Sequence, residues 1–147
     1  MKVKIKKTNP NAIIPRYATD GAACFDLHAC FADRGEEIRV TGMSVIDTGL
    51  AFEVPQGHVM LVFSRSGHAM RANTCLSNGV GVIDSDYRGE VKVMLTRVLT
   101  HMEPLVVRHG DRIAQAMIVP YPRVEFDEVK DLADSARGDG GFGSTGA

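Results

Sequence analysis

Asn78-Gly-Val-Gly-Val-Ile-Asp-Ser-Asp-Tyr-Arg-Gly-Glu-Val-Lys-Val93 opens on small and apolar residues, packs two acids, an aromatic and a cation into five positions, and closes as an alternating strand. Asp84-Ser85-Asp86 carries turn chemistry, and Gly89 permits a tight backbone. Val91, Val93 and Leu95 recur at period two, the mark of a half-buried strand. The spacing predicts a β-hairpin with Asp84 and Tyr87 near its tip. Gly79 and Gly81 leave the first arm without bulk, so a flat ligand could approach the backbone closely. Taken alone, the stretch also reads as an ordinary surface hairpin whose turn is polar for local reasons.

Outward from it, most segments follow the same alternating rule. Val3 and Ile5 alternate with lysines in a short, edge-like strand that Asn9-Pro10-Asn11 ends. Cys24 to Ala29 predicts a strand with Asp26 between apolar neighbours. An acid there is costly without a partner, so it is either a bonded structural acid or a site acid. Ile38 and Val40 predict a short strand. Ser44 to Val54 predicts another, interrupted at Asp47-Thr48-Gly49. His58 to Phe63 alternates well and runs into Ser64 to Arg71, the one helical stretch of the first two-thirds, with Ser66 as its expected N-terminal cap. Further strands are predicted over Val91–Leu99, Leu105–Val107 and Arg112–Val119, with a strand-like piece at Val124, Phe126 and Val129. About ten short strands with regular turn signals and almost no helix point to an all-β fold: a sandwich, jelly roll or barrel.

Composition narrows the function. The 147 residues suit one domain with a real core. A formal net charge of −1 with 24% charged residues gives no global basic field for duplex nucleic acid. Cys24, Cys30 and Cys75 are odd in number and form no metal or disulfide pattern, which suits a reducing cytoplasm. The first residues lack the apolar core of a secretion signal, and no apolar run approaches a membrane span. These features lead us to expect a soluble intracellular protein with no membrane partner.

Three more segments carry chemistry. Arg65-Ser66-Gly67, where a strand meets a helix, is an anion site or a plain turn. Gln115 sits inside an apolar strand and needs partners, as a structural bridge or as a phosphate or water contact. The tail from Ala136 holds five glycines in twelve residues, with the cation Arg137 and the ring Phe142. Such a backbone can wrap phosphates, and the ring can stack on a base. It is not a P-loop, since the lysine and the following helix are missing. His28, His58, His68, His101 and His109 are scattered and read as surface or packing residues.

In order along the chain, Ala22-Ala-Cys-Phe-Asp-Leu27, Arg65-Ser-Gly67, Asn78 through Val91, Gly110-Asp-Arg-Ile-Ala-Gln115 and Arg137-Gly-Asp-Gly-Gly-Phe-Gly-Ser-Thr-Gly146 resemble the five motifs of the trimeric dUTP pyrophosphatases. The resemblance covers nearly the whole chain, and its third and fifth segments are distinctive. It implies a jelly-roll-like β-barrel with little helix, over residues 1–130, and a glycine-rich lid or arm over 131–147. It also implies a homotrimer with shared sites and exchanged tails. The implied reaction is water attack on the α-phosphate of dUTP, which releases pyrophosphate and dUMP, limits uracil incorporation into DNA and supplies dUMP for thymidylate synthesis.

By the same resemblance, Asp84 orients and deprotonates the water. An ordinary aspartate is ionised at neutral pH and can accept that proton. Tyr87 lies under the deoxyribose and excludes a 2′-hydroxyl. Main-chain groups around Gly81, Val82, Ile83 and Lys92 read the uracil edge, and Asn78 supports them or touches the base. Arg65, Ser66, Gly67 and Gln115 hold phosphates. Mg²⁺ is held mainly by the triphosphate, with Asp26 touching its water shell. Arg137, Phe142 and Gly143 close over the site, Phe142 stacking on uracil.

The chain departs from the pattern at Ser64, at His68 and at Cys24-Phe25, none of which is among Asp84, Tyr87, Arg137 and Phe142. Two rivals stay open at this stage. A dCTP deaminase shares the fold but needs a catalytic glutamate, where Asp84-Ser-Asp-Tyr-Arg-Gly89 stands here. A non-catalytic dUTP-sensing regulatory protein would bind without turnover.

Overall fold

The structure, a computed structural model, describes residues 1–32, 35–99, 103–141 and Ser144. Among them are ten strands and one helix: β1 Lys4–Lys7, β2 Phe25–His28, β3 Glu37–Val40, β4 Ser44–Glu53, β5 His58–Phe63, α1 Ser66–Ala72, β6 Thr74–Leu76, β7 Gly81–Ile83, β8 Glu90–Arg97, β9 Leu105–Arg108 and β10 Arg112–Pro120. Alternation is what makes them strands. In β8, for example, Val91, Val93 and Leu95 are fully buried while Lys92 faces out.

The strands form two four-stranded sheets, β1-β4-β8-β6 and β2-β10-β5-β7, and a two-stranded piece, β3-β9. All pairings are antiparallel. The inner faces of the larger sheets share one core, from Leu27 and Ile113 on one to Ile46 and Leu95 on the other. Phe25 of β2 stacks on Phe52 of β4 across it, with ring centroids 6.3 Å apart. This is the jelly-roll-like all-β fold, built as a sandwich whose ladders do not close into one continuous barrel among the described residues. The buried hydroxyls of Thr48 and Thr74 are satisfied by Val91 O and Ala72 O.

Three expectations need correcting. The predicted hairpin is absent. β7 pairs with β5, whereas β8 pairs with β4 and β6, so the two arms lie in different sheets. Asp84 to Gly89 is therefore a crossover between sheets. Its turn residues and period-two flank look the same in sequence, because periodicity tells which face a strand buries and not which strand it bonds. Ser66 is the first helical residue of α1. The cap is Arg65, in extended conformation with no side-chain capping bond. The strand expected around Val124 to Val129 does not form either: residues 121–130 are exposed and pair with no strand among the described residues.

The break expected at Asp47-Thr48-Gly49 is a β-bulge. Asp47 faces Lys92 and Ala51 faces Glu90, so β4 holds extra residues there. Gly49 sits at its centre with φ +66°, and a Cβ on it would stand 2.7 Å from Cys30 Sγ and 2.8 Å from Ala12 Cβ. Gly49→Ala, which meets both the left-handed strain and the crowding, is expected to lower the unfolding free energy by about 1–3 kcal/mol, read as a lower urea midpoint at unchanged m-value.

Candidate active site

The first group of polar side chains is held by β2, β10 and the junction of β5 with α1. Phe25 and Leu27 bury inward, which turns Asp26 outward. Its carboxylate side chain is only 14% exposed. Arg65 Nε lies 3.3 Å from Asp26 Oδ1, and Arg112 donates from Nη1 to Oδ2 at 3.2 Å. Arg65 also donates from Nη1 to the carbonyl of Arg112 at 3.0 Å. Gln115 stands opposite Asp26 on one side of β10 and opposite Phe63 on the other. Its Nε2 donates to Ser64 O at 3.0 Å, and Ser64 Oγ accepts the Leu76 amide at 2.8 Å. The structural-bridge role of Gln115 is thus present, and it fixes the main chain one residue before Arg65. Together Asp26, Arg65, Ser66, Gly67, Arg112 and Gln115 line a cavity of about 350 Å³.

Arg112 is the member that sequence reasoning missed. Strict alternation sets residues 112 and 115 on opposite faces. A register shift between Arg112 and Ala114 places Arg112 opposite His28 and Gln115 opposite Asp26, which brings both to one face. The only sequence signal was a cation in the segment Gly110 to Gln115, and a bulge is invisible to periodicity. A carboxylate shared by two guanidiniums is a preformed charged knot. It leaves arginine donors along the cavity wall, a suitable environment for an anion.

The second group lies on the crossover. Val82, Ile83, Asp84, Tyr87 and Lys92 line another cavity of about 350 Å³, with Val45, Glu90 and Met94. Among the described residues the Asp84 carboxylate has no hydrogen-bond or ion-pair partner. Tyr87 donates its hydroxyl to Glu90 O at 3.0 Å. Lys92 Nζ donates to Asp47 Oδ1 at 2.7 Å, which raises the lysine above its ordinary range. Two main-chain edges are open here. β7 is the last strand of its sheet. β6 covers β8 only from Leu95 to Arg97, with the Ser77 amide reaching Met94 O. No strand among the described residues pairs with these edges at Val82 and Lys92, which leaves main-chain N–H and C=O groups there for a ligand.

The remaining predicted residues lie elsewhere. Gly81 is buried with its missing Cβ facing Val62 Cβ at 3.0 Å, so its small size serves strand packing. Asn78 is exposed, and its carbonyl accepts the Val80 amide. Arg137 is exposed and donates from Nε to Gly140 O at 2.7 Å, lining neither cavity. Phe142 and Gly143 lie outside the described residues. The two cavities have no lining residue in common.

His68 and Cys24 add to the electrostatics. Cys24 lines the first cavity, and burial followed by the Asp26 charge pushes its thiol up. Burial lowers His68, and the Arg65 charge beside it lowers it further, against an opposing pull from Asp111.

The chain matches the family model described as dUTPase over residues 10–146. It is 46% identical over 147 residues to the deoxyuridine 5'-triphosphate nucleotidohydrolase of Nautilia profundicola, covering 99% of each chain. It is 47% identical over 143 residues to the protein of that name from Anaeromyxobacter sp. strain Fw109-5, covering 97% of this chain and 94% of the other. Among solved structures, the dUTPase of Staphylococcus bacteriophage 80alpha with dUPNHPP matches with a TM-score of 0.81 at 25% identity, covering 99% of each chain.

The lowered His68 gives a test of the buried electrostatics. A histidine whose folded value lies below its unfolded value of about 6.5 leaves the unfolded chain holding more protons in that window. Its contribution to stability is complete above pH 6.5 and is lost as pH falls toward the folded value. His68→Leu is expected to flatten the fall in Tm between pH 7 and pH 5.5; an identical slope in both proteins would contradict this placement.

Proposed function

This chain belongs to the dUTPase family, and from that premise we propose that it hydrolyses dUTP to dUMP and pyrophosphate by attack of water on the α-phosphorus. One observation carries the reading from family to site: an anion cavity and a cavity flanked by open strand edges lie on the same chain with no shared wall. The first suits phosphates. Arg65 and Arg112 supply guanidinium donors, and Ser66 and Gly67 add a hydroxyl and main-chain amides. The second suits a base and a sugar. Main-chain groups beside Val82, Ile83 and Lys92 read uracil's edge, and swapping donors for acceptors, as in cytosine, leaves buried groups unpaired. Tyr87 forms the floor beneath the deoxyribose and rejects a 2′-hydroxyl by shape. Asp84, with its carboxylate uncommitted, accepts the proton of the attacking water.

Within one chain Ile83 stands opposite Met60 on β5, five residues before Arg65 and so roughly 16 Å from it, and in this reading a second copy completes the site. A homotrimer with shared sites supplies that copy. The arm supports it: Phe126 is 92% exposed and Leu132 87%, on an extended segment that touches little of its own chain. On the surface of the core, Val3, Ile5, Tyr17 and Ile118 line an apolar groove of about 390 Å³ that could receive such a segment from a neighbour. Beyond it, residues 131–147 act as the lid over the core of residues 1–130, with Arg137 on phosphate, Phe142 on the base and Gly143 against the substrate beside them.

Mg²⁺ fits this arrangement as an ion carried by the triphosphate. Among the described residues no three His, Cys, Asp or Glu side chains converge to hold a cation by themselves. In this reading Asp26, whose oxygens meet Arg65 and Arg112, uses its remaining lone pairs to accept from a water of the ion's shell. When bound, the ion would neutralise phosphate charge. No helix among the described residues is long and apolar enough to cross a membrane. Cys24, Cys30 and Cys75 form no disulfide with one another, which suits a cytoplasmic setting.

Product analysis with dUTP, dCTP, dTTP and UTP tests the reaction. Conversion of dUTP alone to dUMP and pyrophosphate is expected; ammonia from dCTP would indicate a deaminase, and tight dUTP binding without product a regulatory binder. Asp84→Asn should keep dUTP binding and lose about 100-fold or more in turnover, as expected for removal of a general base. Full retained rate would refute its role. Truncation after Ala136 should cost turnover yet leave the oligomer intact by light scattering, because the apolar arm residues precede the cut.

A further inference from the structure

The β4 bulge turns the Gly49 amide away from the strand ladder, and the Glu90 side chain receives it: Gly49 N–H donates to Glu90 Oε1 at 2.8 Å. Thr8, just beyond β1, donates its hydroxyl to Glu90 Oε2 at 2.8 Å. Both carboxylate oxygens of Glu90 are thus tied to the β1–β4 flank. The main-chain oxygen of the same residue accepts the Tyr87 hydroxyl. The Tyr87 ring lies against Gly89, where a Cβ would collide with the hydroxyl oxygen. One residue therefore connects the rigid flank of the sandwich to the ring at the wall of the crossover cavity.

We propose that Glu90 is a positioning residue, which sets the Tyr87 ring through its own carbonyl and so sets discrimination between deoxyribose and ribose. The inference rests on the reading of Tyr87 as the floor beneath the sugar. Its physical basis is the first residue of β8. There the ladder to β4 is broken by the bulge, and charge-assisted bonds from the Glu90 side chain take the place of the missing ladder bonds. Without them the Gly49 amide loses its partner, and the start of β8 is free to shift. A shift of about 1 Å at a positioning group can cost on the order of 100-fold in rate.

The test measures kcat/KM for dUTP and UTP, together with Tm, in the full-length wild-type protein and in the Glu90→Ala, Glu90→Gln, Thr8→Val, Tyr87→Phe and Glu90→Ala/Tyr87→Phe variants. Glu90→Ala is expected to narrow the dUTP-to-UTP ratio about five- to twentyfold, mainly through a higher KM for dUTP. Glu90→Gln should retain most of the ratio, because its amide oxygen can accept from Gly49 and its NH₂ can donate to Thr8. Thr8→Val removes one donor only and should narrow the ratio by about two- to threefold, a readout that survives if Glu90→Ala does not fold. The double variant should lose no more than the worse single variant. A Glu90→Ala protein with lowered Tm and an unchanged ratio would overturn the proposal, as would losses that multiply in the double variant. If the wild-type protein hydrolysed neither nucleotide, the functional reading itself would fall first.

Discussion

The chain must pass from one sheet of the sandwich to the other between Ile83 and Glu90, and much of the site depends on that crossing. Stacked sheets stand about 10 Å apart, so a six-residue connection can make the passage only at the rim. The crossing strips β7 of a partner on its outer side and leaves the start of β8 uncovered by β6. Two open main-chain edges and an uncommitted carboxylate are thereby gathered around one cavity. A hairpin would have consumed those same main-chain groups in pairing the arms with each other.

The other half of the site follows a different logic. Asp26 is largely withdrawn from water, and it is stable there because Arg65 and Arg112 meet its two oxygens. The arginines are in turn located by main-chain geometry, Arg65 by its bond to the Arg112 carbonyl and Arg112 by the β10 bulge. The result is a rigid, prepaid charge arrangement facing a cavity, the kind of environment that stabilises phosphate charge without reorganising. The two halves open onto separate cavities of the chain.

The strands were legible because a half-buried strand writes its period into the sequence, as Val91, Val93 and Leu95 do. The groupings of Asp26 with Arg65, Ser66, Gly67 and Gln115, and of Val82, Ile83, Asp84 and Tyr87 with Lys92, were legible through the order of five motifs and not through any single one. Strand pairing was not legible: the Gly-rich arm before Asp84 alternates alike whether it bonds β8 or β5. Arg112 was hidden by a bulge that changes its face, and the small size of Gly81 has its explanation in Val62, a residue far away in sequence. Val124 and Phe126 carry a strand pattern, yet they pair with no strand among the described residues.

In the proposed shared site, the carboxylate of one copy acts on phosphates held by another. Subunit mixing tests it most directly. Arg65→Gln damages the phosphate cavity and Asp84→Asn the crossover, and each variant alone should be nearly inactive. If the sites are shared, unfolding and refolding the two together should restore dUTP hydrolysis, because some mixed sites receive both intact halves. Mixed oligomers that form yet stay as inactive as their parents would contradict the account and place both halves of the site within a single chain.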